Sequence, residues 1–236
     1  MLDLFVLAKL EAVKNKALAC FENYDFPGVT NAVITFLSSD MSSFYLDYAK
    51  DVLYCDPTNS SRRKAIQNVI YQVARDVSRL LTPIIPFTME EVHSYLPGNK
   101  REFAQLEDMP KESHAYSPVI LDDYASFVHL RNIGLKALEE GRAKGLFGSS
   151  TDAALSLTIA DDNLLEILRS NSDEMLSKFF MVSKVHLATG ESDSASATVG
   201  EGELCPRCRQ KVSELVEHEG EHLCCRCAKA LEEMGE

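Results

Sequence analysis

Residues 60–81 read SSRRKAIQNVIYQVARDVSRLL. Ile66, Val69, Ile70, Val73, Val77, Leu80 and Leu81 fall on one face at helical spacing, an apolar stripe of roughly four turns. Ser60 or Ser61 is suited to cap its start, and Pro83 and Pro86 stop it. A helix with a single apolar stripe must bury it against another element, so partners are expected on both sides in the chain.

Upstream, Leu10, Val13, Ala17 and Phe21 recur at the same spacing, and Pro27-Gly28 reads as a break. Val29, Ala32, Val33, Phe36 and Leu37 give a second stripe. Downstream, Thr88-Met-Glu-Glu91 has the spacing of a capping box and opens a short helix that ends before Pro97-Gly98. The expected product over residues 1–110 is an antiparallel helical bundle. Residues 111–190 are mixed. A helix over Tyr124–Arg142 precedes a strand over Ala153–Ile159, short helices over 161–169 and 172–180, and a strand over 181–187. A helical crossover between those strands makes them parallel, a small α+β subdomain. Residues 191–203 are small and polar, with the composition of a linker. Residues 204–236 carry the chain's cysteine-rich tail. The fold class is therefore mainly α, with an α+β unit and a terminal metal module.

Composition limits the function. The 236 residues carry 24 Lys+Arg against 36 Asp+Glu, a net charge of −12, which disfavours a free-standing nucleic-acid binder. Half of that excess lies beyond residue 190, so the body retains room for local basic patches. The expectation is a soluble, cytoplasmic, monomeric chain with no membrane contact. The apolar runs are too short to span a bilayer, and Asp3 stands where a leader would be basic.

Cys205-Pro-Arg-Cys208 and Cys224-Cys-Arg-Cys227 are C-x2-C pairs fifteen residues apart. Four thiolates can surround a tetrahedral Zn²⁺, and two-residue spacing lets one tight turn present two sulfurs. We read Cys205, Cys208, Cys224 and Cys227 as ligands of one structural zinc in a four-cysteine zinc ribbon. Two disulfides are the alternative, disfavoured by the intracellular reading. Cys225 could replace Cys224, at a spacing that suits the turn less well. So short a segment builds little core, and the metal is expected to supply its folding energy. His218-Glu-Gly-Glu-His222 matches the H-E-x-x-H pattern of metalloproteases. Gly220 at its centre and its place in the spacer argue for a loop instead. His222 as a substitute ligand is a minor alternative. No phosphate-loop, dinucleotide or nucleophile-elbow pattern occurs. Arg62-Arg63-Lys64 and Arg142 with Lys144 are basic clusters that could meet phosphate or form solvated faces. Arg75 and Arg79, spaced i, i+4 beside the apolar stripe, could meet an anion in the same way or take a buried or half-buried structural role.

Ser42-Ser-Phe-Tyr-Leu-Asp47 with Lys50-Asp-Val-Leu-Tyr54 resembles a signature of isoleucyl-tRNA synthetases. Glu22-Asn-Tyr-Asp-Phe26, Arg62-Arg63, Leu80-Leu-Thr-Pro-Ile-Ile-Pro-Phe-Thr-Met-Glu-Glu91, Gly148-Ser-Ser150, Phe180–Leu187 and the terminal cysteine pairs resemble segments of the same family, in the same order. His93 and Arg209 depart from it, standing where related sequences often carry Trp. The resemblance implies the C-terminal part of such a class I enzyme: a bundle of the anticodon-binding type, a connector and a zinc finger. It implies tRNA(Ile) and the family's catalytic and editing domains as partners. The His-x-Gly-His and Lys-Met-Ser-Lys motifs do not occur here, so the chain alone is expected to be inactive. Arg62, Arg63, Lys64, Arg142 and Lys144 are the candidate tRNA contacts. Phe44, Tyr45 and Tyr48 could stack on bases, although at helical spacing such residues more often form core. The alternative is a helical protein-interaction module with a zinc ribbon and no tRNA preference.

Overall fold

Residues 1–235 are described by a computed structural model, which opens on helix α1 (Leu2–Glu22). A sharp turn at Asn23–Asp25 leads to α2 (Phe26–Thr35). Pro27-Gly28 is not the break expected. Proline lacks an N–H but needs none in a first turn, and the Asp25 carboxylate caps the Gly28 N–H at 2.9 Å. The chain runs on without interruption through a π-helical segment (Phe36–Tyr45) into α3 (Leu46–Cys55). The sequence explains that winding. At 3.6 residues per turn, nine residues would place Tyr45 on the face opposite Phe36, yet both are fully buried. Wider turns bring Val29, Val33 and Phe36 into phase with Met41, Tyr45, Tyr48 and Val52, all of them core.

Helix α4 (Ser61–Leu81) buries Ile66, Val69, Val73, Val77, Leu80 and Leu81, as its stripe predicts. Ser60 caps it through the Arg63 N–H. It packs on α1 and on α5 (Pro86–Tyr95). Thr88 does not cap α5; Pro86 opens the helix, and the Glu90 carboxylate instead takes the Ala104 N–H at 2.7 Å. The polar stretch after α5 is tied down by side chains. Glu107 accepts from the Arg101 N–H and from Arg79. The buried Glu11 carboxylate of α1 accepts from Ser113 Oγ and from the amides of Ala115 and Tyr116. These elements form one compact unit, Met1–Leu53 with Asn59–Leu121.

The second unit comprises Tyr54–Thr58 and the chain from Asp122 onward. Helix α6 (Pro118–Ala143) buries Phe127, Leu130, Gly134 and Leu138. A Cβ at Gly134 would lie 3.1 Å from Leu155 Cδ2, so glycine lets α6 approach the sheet. Strand β1 (Ala153–Ile159) alternates buried Ala153, Leu155, Leu157 and Ile159 with the less buried Ala154, Ser156 and Thr158. Helices α7 (Asp162–Arg169) and α8 (Asp173–Phe180) then carry the chain to β2 (Lys184–Thr189). β2 pairs parallel to β1, with Leu155 opposite Val185. The α8 helix ends with Met181 in the left-handed conformation, so β2 begins three residues later than the sequence reading.

Strand β3 (Ser194–Val199) lies inside the stretch expected to be linker. It pairs antiparallel to β1, with Ser156 opposite Ser196, giving the sheet order β2-β1-β3. No large apolar residue precedes Val199 in it, and the ladder to β1 rather than side-chain burial holds it. The turn before it is pinned by Asp193, which accepts from the Ala160 N–H at 2.8 Å. The tail consists of two short hairpins, β4 (Glu203–Leu204) with β5 (Lys211–Val212) and β6 (Val216–His218) with β7 (Glu221–Leu223), followed by α9 (Cys225–Met234). The last residue of the tail, Glu236, lies outside the described residues. Among the described residues no helix is long and apolar enough to cross a membrane.

Candidate metal centre and nucleic-acid interface

Each C-x2-C pair lies where a hairpin or helix turns sharply. After β4 the chain folds back at Cys205–Gln210, with the Cys205 N–H donating to Gln210 O and the Arg209 N–H to Cys205 O. Arg209 takes the left-handed conformation that this tight knuckle requires (φ 61°). The second pair opens α9, where Cys224 is the N-cap and its sulfur accepts from the Cys227 N–H. The sulfurs of Cys205, Cys208, Cys224 and Cys227 lie within 4.8 Å of one another, and all four residues are buried. Cys208 Sγ and Cys224 Sγ are 3.8 Å apart. That is the edge of a tetrahedron with metal–sulfur bonds of about 2.3 Å.

The four thiols are shifted unequally. Burial pushes the Cys205 thiol up, but the amides of Cys208, Cys224 and Arg207 outweigh it and bring the group down to about 7. The hydrogen bond to Cys224 drives Cys208 the other way, to about 12. Cys227 is likewise raised, chiefly by its contact with Cys208. Four crowded sulfurs cannot all ionise without a cation between them. The amide-to-sulfur bonds and the spacing therefore fit a metal ion. All seven cysteines are free thiols, and the disulfide alternative finds no bonded pair. Cys225 is exposed and outside the cluster, so Cys224 rather than Cys225 belongs to the four sulfurs that could hold an ion.

The H-E-x-x-H pattern has no catalytic geometry. His218 and His222 lie on adjacent strands of a hairpin that turns at Glu219 and Gly220, both with positive φ. His222 pairs with Glu217 and His218 with Glu221, so the two imidazoles project from opposite faces of the ribbon. A shared ion is excluded by that alternation, and His222 is exposed rather than part of the cluster.

A model of the anticodon-binding domain of tRNA ligase matches residues 3–157. The chain belongs to this anticodon-binding family. It is also similar to isoleucine–tRNA ligases: 38% identical over 242 residues to that of Lactobacillus acidophilus, 37% over 246 to that of Bacillus cereus and 38% over 245 to that of Bacillus cytotoxicus. Each likeness covers 98% of this chain and 26% of the relative, so the chain spans about a quarter of the length of the curated relatives it matches.

Within this anticodon-binding family member, the aromatic candidates turn inward. Phe44, Tyr45 and Tyr48 are buried, which excludes them as open stacking platforms. Tyr45 and Tyr48 belong to a polar staple instead. The Asp3 carboxylate accepts from Tyr45 Oη at 2.7 Å and from the Arg62 guanidinium, and Arg62 Nε donates to Tyr48 Oη at 3.1 Å. Burial raises Asp3, but Arg62 and Tyr45 hold it below the usual carboxylate range. Burial and the Asp3 contact push the Tyr45 hydroxyl far up. Arg62 is thereby turned into the unit, while Arg63 is half-buried and Lys64 is exposed. Arg142 and Lys144 are exposed on the second unit. Arg75 and Arg79 pair with Asp76 and Glu107, the structural one of the two roles left open by the sequence. His93 is buried, its Nε2 2.9 Å from Arg101 O, and fills a packing position.

Exposed aromatics offer other surfaces, among them Tyr24 and Tyr54. Sequence reasoning also missed the surroundings of the cysteine cluster. Cys55 is buried against it, and Arg207 and Arg226 reach back to residues 55 and 56. No local spacing signals contacts across more than 150 residues.

Proposed function

We propose that this chain is the tRNA-binding part of an isoleucine–tRNA ligase. In this reading it recognises the anticodon arm of tRNA(Ile) and positions it for aminoacylation by catalytic and editing domains outside the chain. The observation that carries the reading is the likeness to isoleucine–tRNA ligases along 98% of the chain, with the anticodon-binding match inside it. Anticodon bases in a loop are unstacked, and can be read by hydrogen bonds and by stacking on exposed rings. Lys64, Arg142, Lys144 and the half-buried Arg63 supply the phosphate contacts. Arg62 acts from within, holding the start of α4 against Asp3 and Tyr48.

Cys205, Cys208, Cys224 and Cys227 hold one Zn²⁺ in this proposal. The ion, when bound, neutralises the thiolates and fixes both knuckles. With four protein sulfurs around it no position remains for water, so its role is structural. The chain acts as a monomer in the cytoplasm, without a membrane partner.

Binding of tRNA(Ile) and of a non-cognate tRNA transcript to the purified chain tests this. Salt-sensitive binding that prefers tRNA(Ile), and weakens when the anticodon is changed, is expected. Equal affinity for both would favour a protein-interaction module instead. No isoleucine-dependent ATP–pyrophosphate exchange is expected from the chain alone.

A further inference from the structure

The residues between the two cysteines of each pair do more than close a turn. Arg207 sits between Cys205 and Cys208, and its Nη1 donates to Cys55 O at 2.6 Å. Arg226 sits between Cys224 and Cys227, and its Nη1 lies 3.2 Å from Asp56 Oδ1. Both therefore grip the C-terminal end of α3, at Cys55 and Asp56 within Tyr54–Thr58, which lies some 150 residues earlier in the chain and belongs to the same compact unit. A third contact reinforces the grip. Cys55 is buried within the apolar cluster formed by the four cysteines, Leu223 and Ala228, and its thiol faces Arg207 O at 4.0 Å. The Asp56 side chain is only 14% exposed, so its pairing with Arg226 is largely shielded from solvent. Arg226 also reaches Glu174 of α8 at 3.7 Å.

These contacts depend on the knuckles. A C-x2-C turn has a fixed shape only while both of its sulfurs are held, because so short a loop has little core of its own. If the sulfurs are released, Arg207 and Arg226 lose their common frame and Cys55 loses its apolar cover. The residue just before the gripped pair is Tyr54. Tyr54 is 79% exposed as a residue while its neighbour Cys55 is 6% exposed. An aromatic ring held out from an ordered backbone is the arrangement on which an unpaired base stacks, and pre-ordering spares the entropy of fixing it on binding.

We propose that the metal centre orders Tyr54–Thr58 through Arg207 and Arg226, and that this sets Tyr54 as a stacking platform for an unpaired base of the RNA. Arg207 and Arg226 are positioning residues and Tyr54 makes the contact. The stacking half rests on the tRNA reading above; the ordering half does not.

Hydrogen exchange on the full chain separates the two. The metal-loaded chain should protect the amides of Cys55, Asp56 and Thr58, the exchangeable ones of residues 55–58. Chelation and the Arg207→Met/Arg226→Met double variant should each speed their exchange at least tenfold, with the amides of 66–81 unchanged. Zinc content of about one per chain in the double variant shows that its metal site still forms. An R207K/R226K variant, which keeps the charge, should recover part of the protection. Unchanged exchange at 55–58 in the metal-loaded double variant overturns the ordering role. For the contact, Tyr54→Ala should weaken tRNA(Ile) binding about tenfold or more, and Tyr54→Phe by less than about twofold. Wild-type affinity in Tyr54→Ala overturns the stacking role. Failure of the unaltered chain to bind any tRNA overturns the tRNA reading and the stacking role with it, while the exchange result still decides the ordering.

Discussion

The helical unit and the cysteine module hold their shapes by different means. In the first, Phe36, Tyr45, Tyr48, Ile66 and Leu80 are almost wholly buried, and α1, α2 and α4 close over them. In the second, residues 204–235 bury little beyond four cysteines, Leu223, Ala228 and Ala230. The first unit is secured by many apolar contributions spread over its core. The second concentrates its stability in four sulfurs. The same chain should therefore respond to a metal chelator in one region and to core truncation in the other.

The largest effect expected is from metal removal. Structural zinc sites contribute about 10–16 kcal/mol in small modules at neutral pH. Chelation, or Cys208→Ser, should unfold residues 204–235 while the far-ultraviolet signal of the helical unit persists. A cooperative collapse of both would break the contrast. Next comes Phe36→Ala, which should cost the helical unit about 3–5 kcal/mol and leave metal content unchanged; urea unfolding read alongside zinc analysis checks both halves.

The polar staple is smaller. Arg62→Met should cost about 1.5–3 kcal/mol, because it strands Asp3 away from its partner. Acid probes the same group. Asp3, Glu11 and Glu107 all titrate below their ordinary values, Asp3 despite its burial, Glu11 despite its burial and Glu107 chiefly through the Arg101 N–H. A depressed carboxylate stabilises the fold above its unfolded pKa, and that contribution fades as pH falls through the folded value. The helical unit should therefore hold its urea midpoint from pH 7 to about 5 and lose it below about 4, less steeply in Arg62→Met. Smallest of all, His218→Ala with His222→Ala should change stability by less than about 0.5 kcal/mol and leave metal content intact. Loss of metal in that variant would reinstate a histidine ligand.

What can be read from the sequence follows the same divide. The α4 stripe and the two C-x2-C pairs are local patterns, and each announces itself within a few residues. The π-helical segment is not local in that sense. Its only trace is the half-turn mismatch between Phe36 and Tyr45, visible once both are known to be buried. Strand β3 reads as linker because Ser194–Val199 carries no large apolar residue before its last position, and its place is set by backbone pairing to β1. Phe44, Tyr45 and Tyr48 are legible as core or as platforms, and burial decides for core. Arg62 looks like a surface cation because its partner, Asp3, lies 59 residues away. The grip of Arg207 and Arg226 on residues 55 and 56 is hidden for the same reason.

Competition binding tests the proposed recognition of tRNA(Ile). Labelled tRNA(Ile) bound to the metal-loaded chain is challenged with unlabelled tRNA(Ile), the same tRNA with an altered anticodon, and a non-cognate tRNA at moderate salt. Displacement by tRNA(Ile) is expected at concentrations well below those needed for the other two. Equal displacement by all three would contradict that recognition.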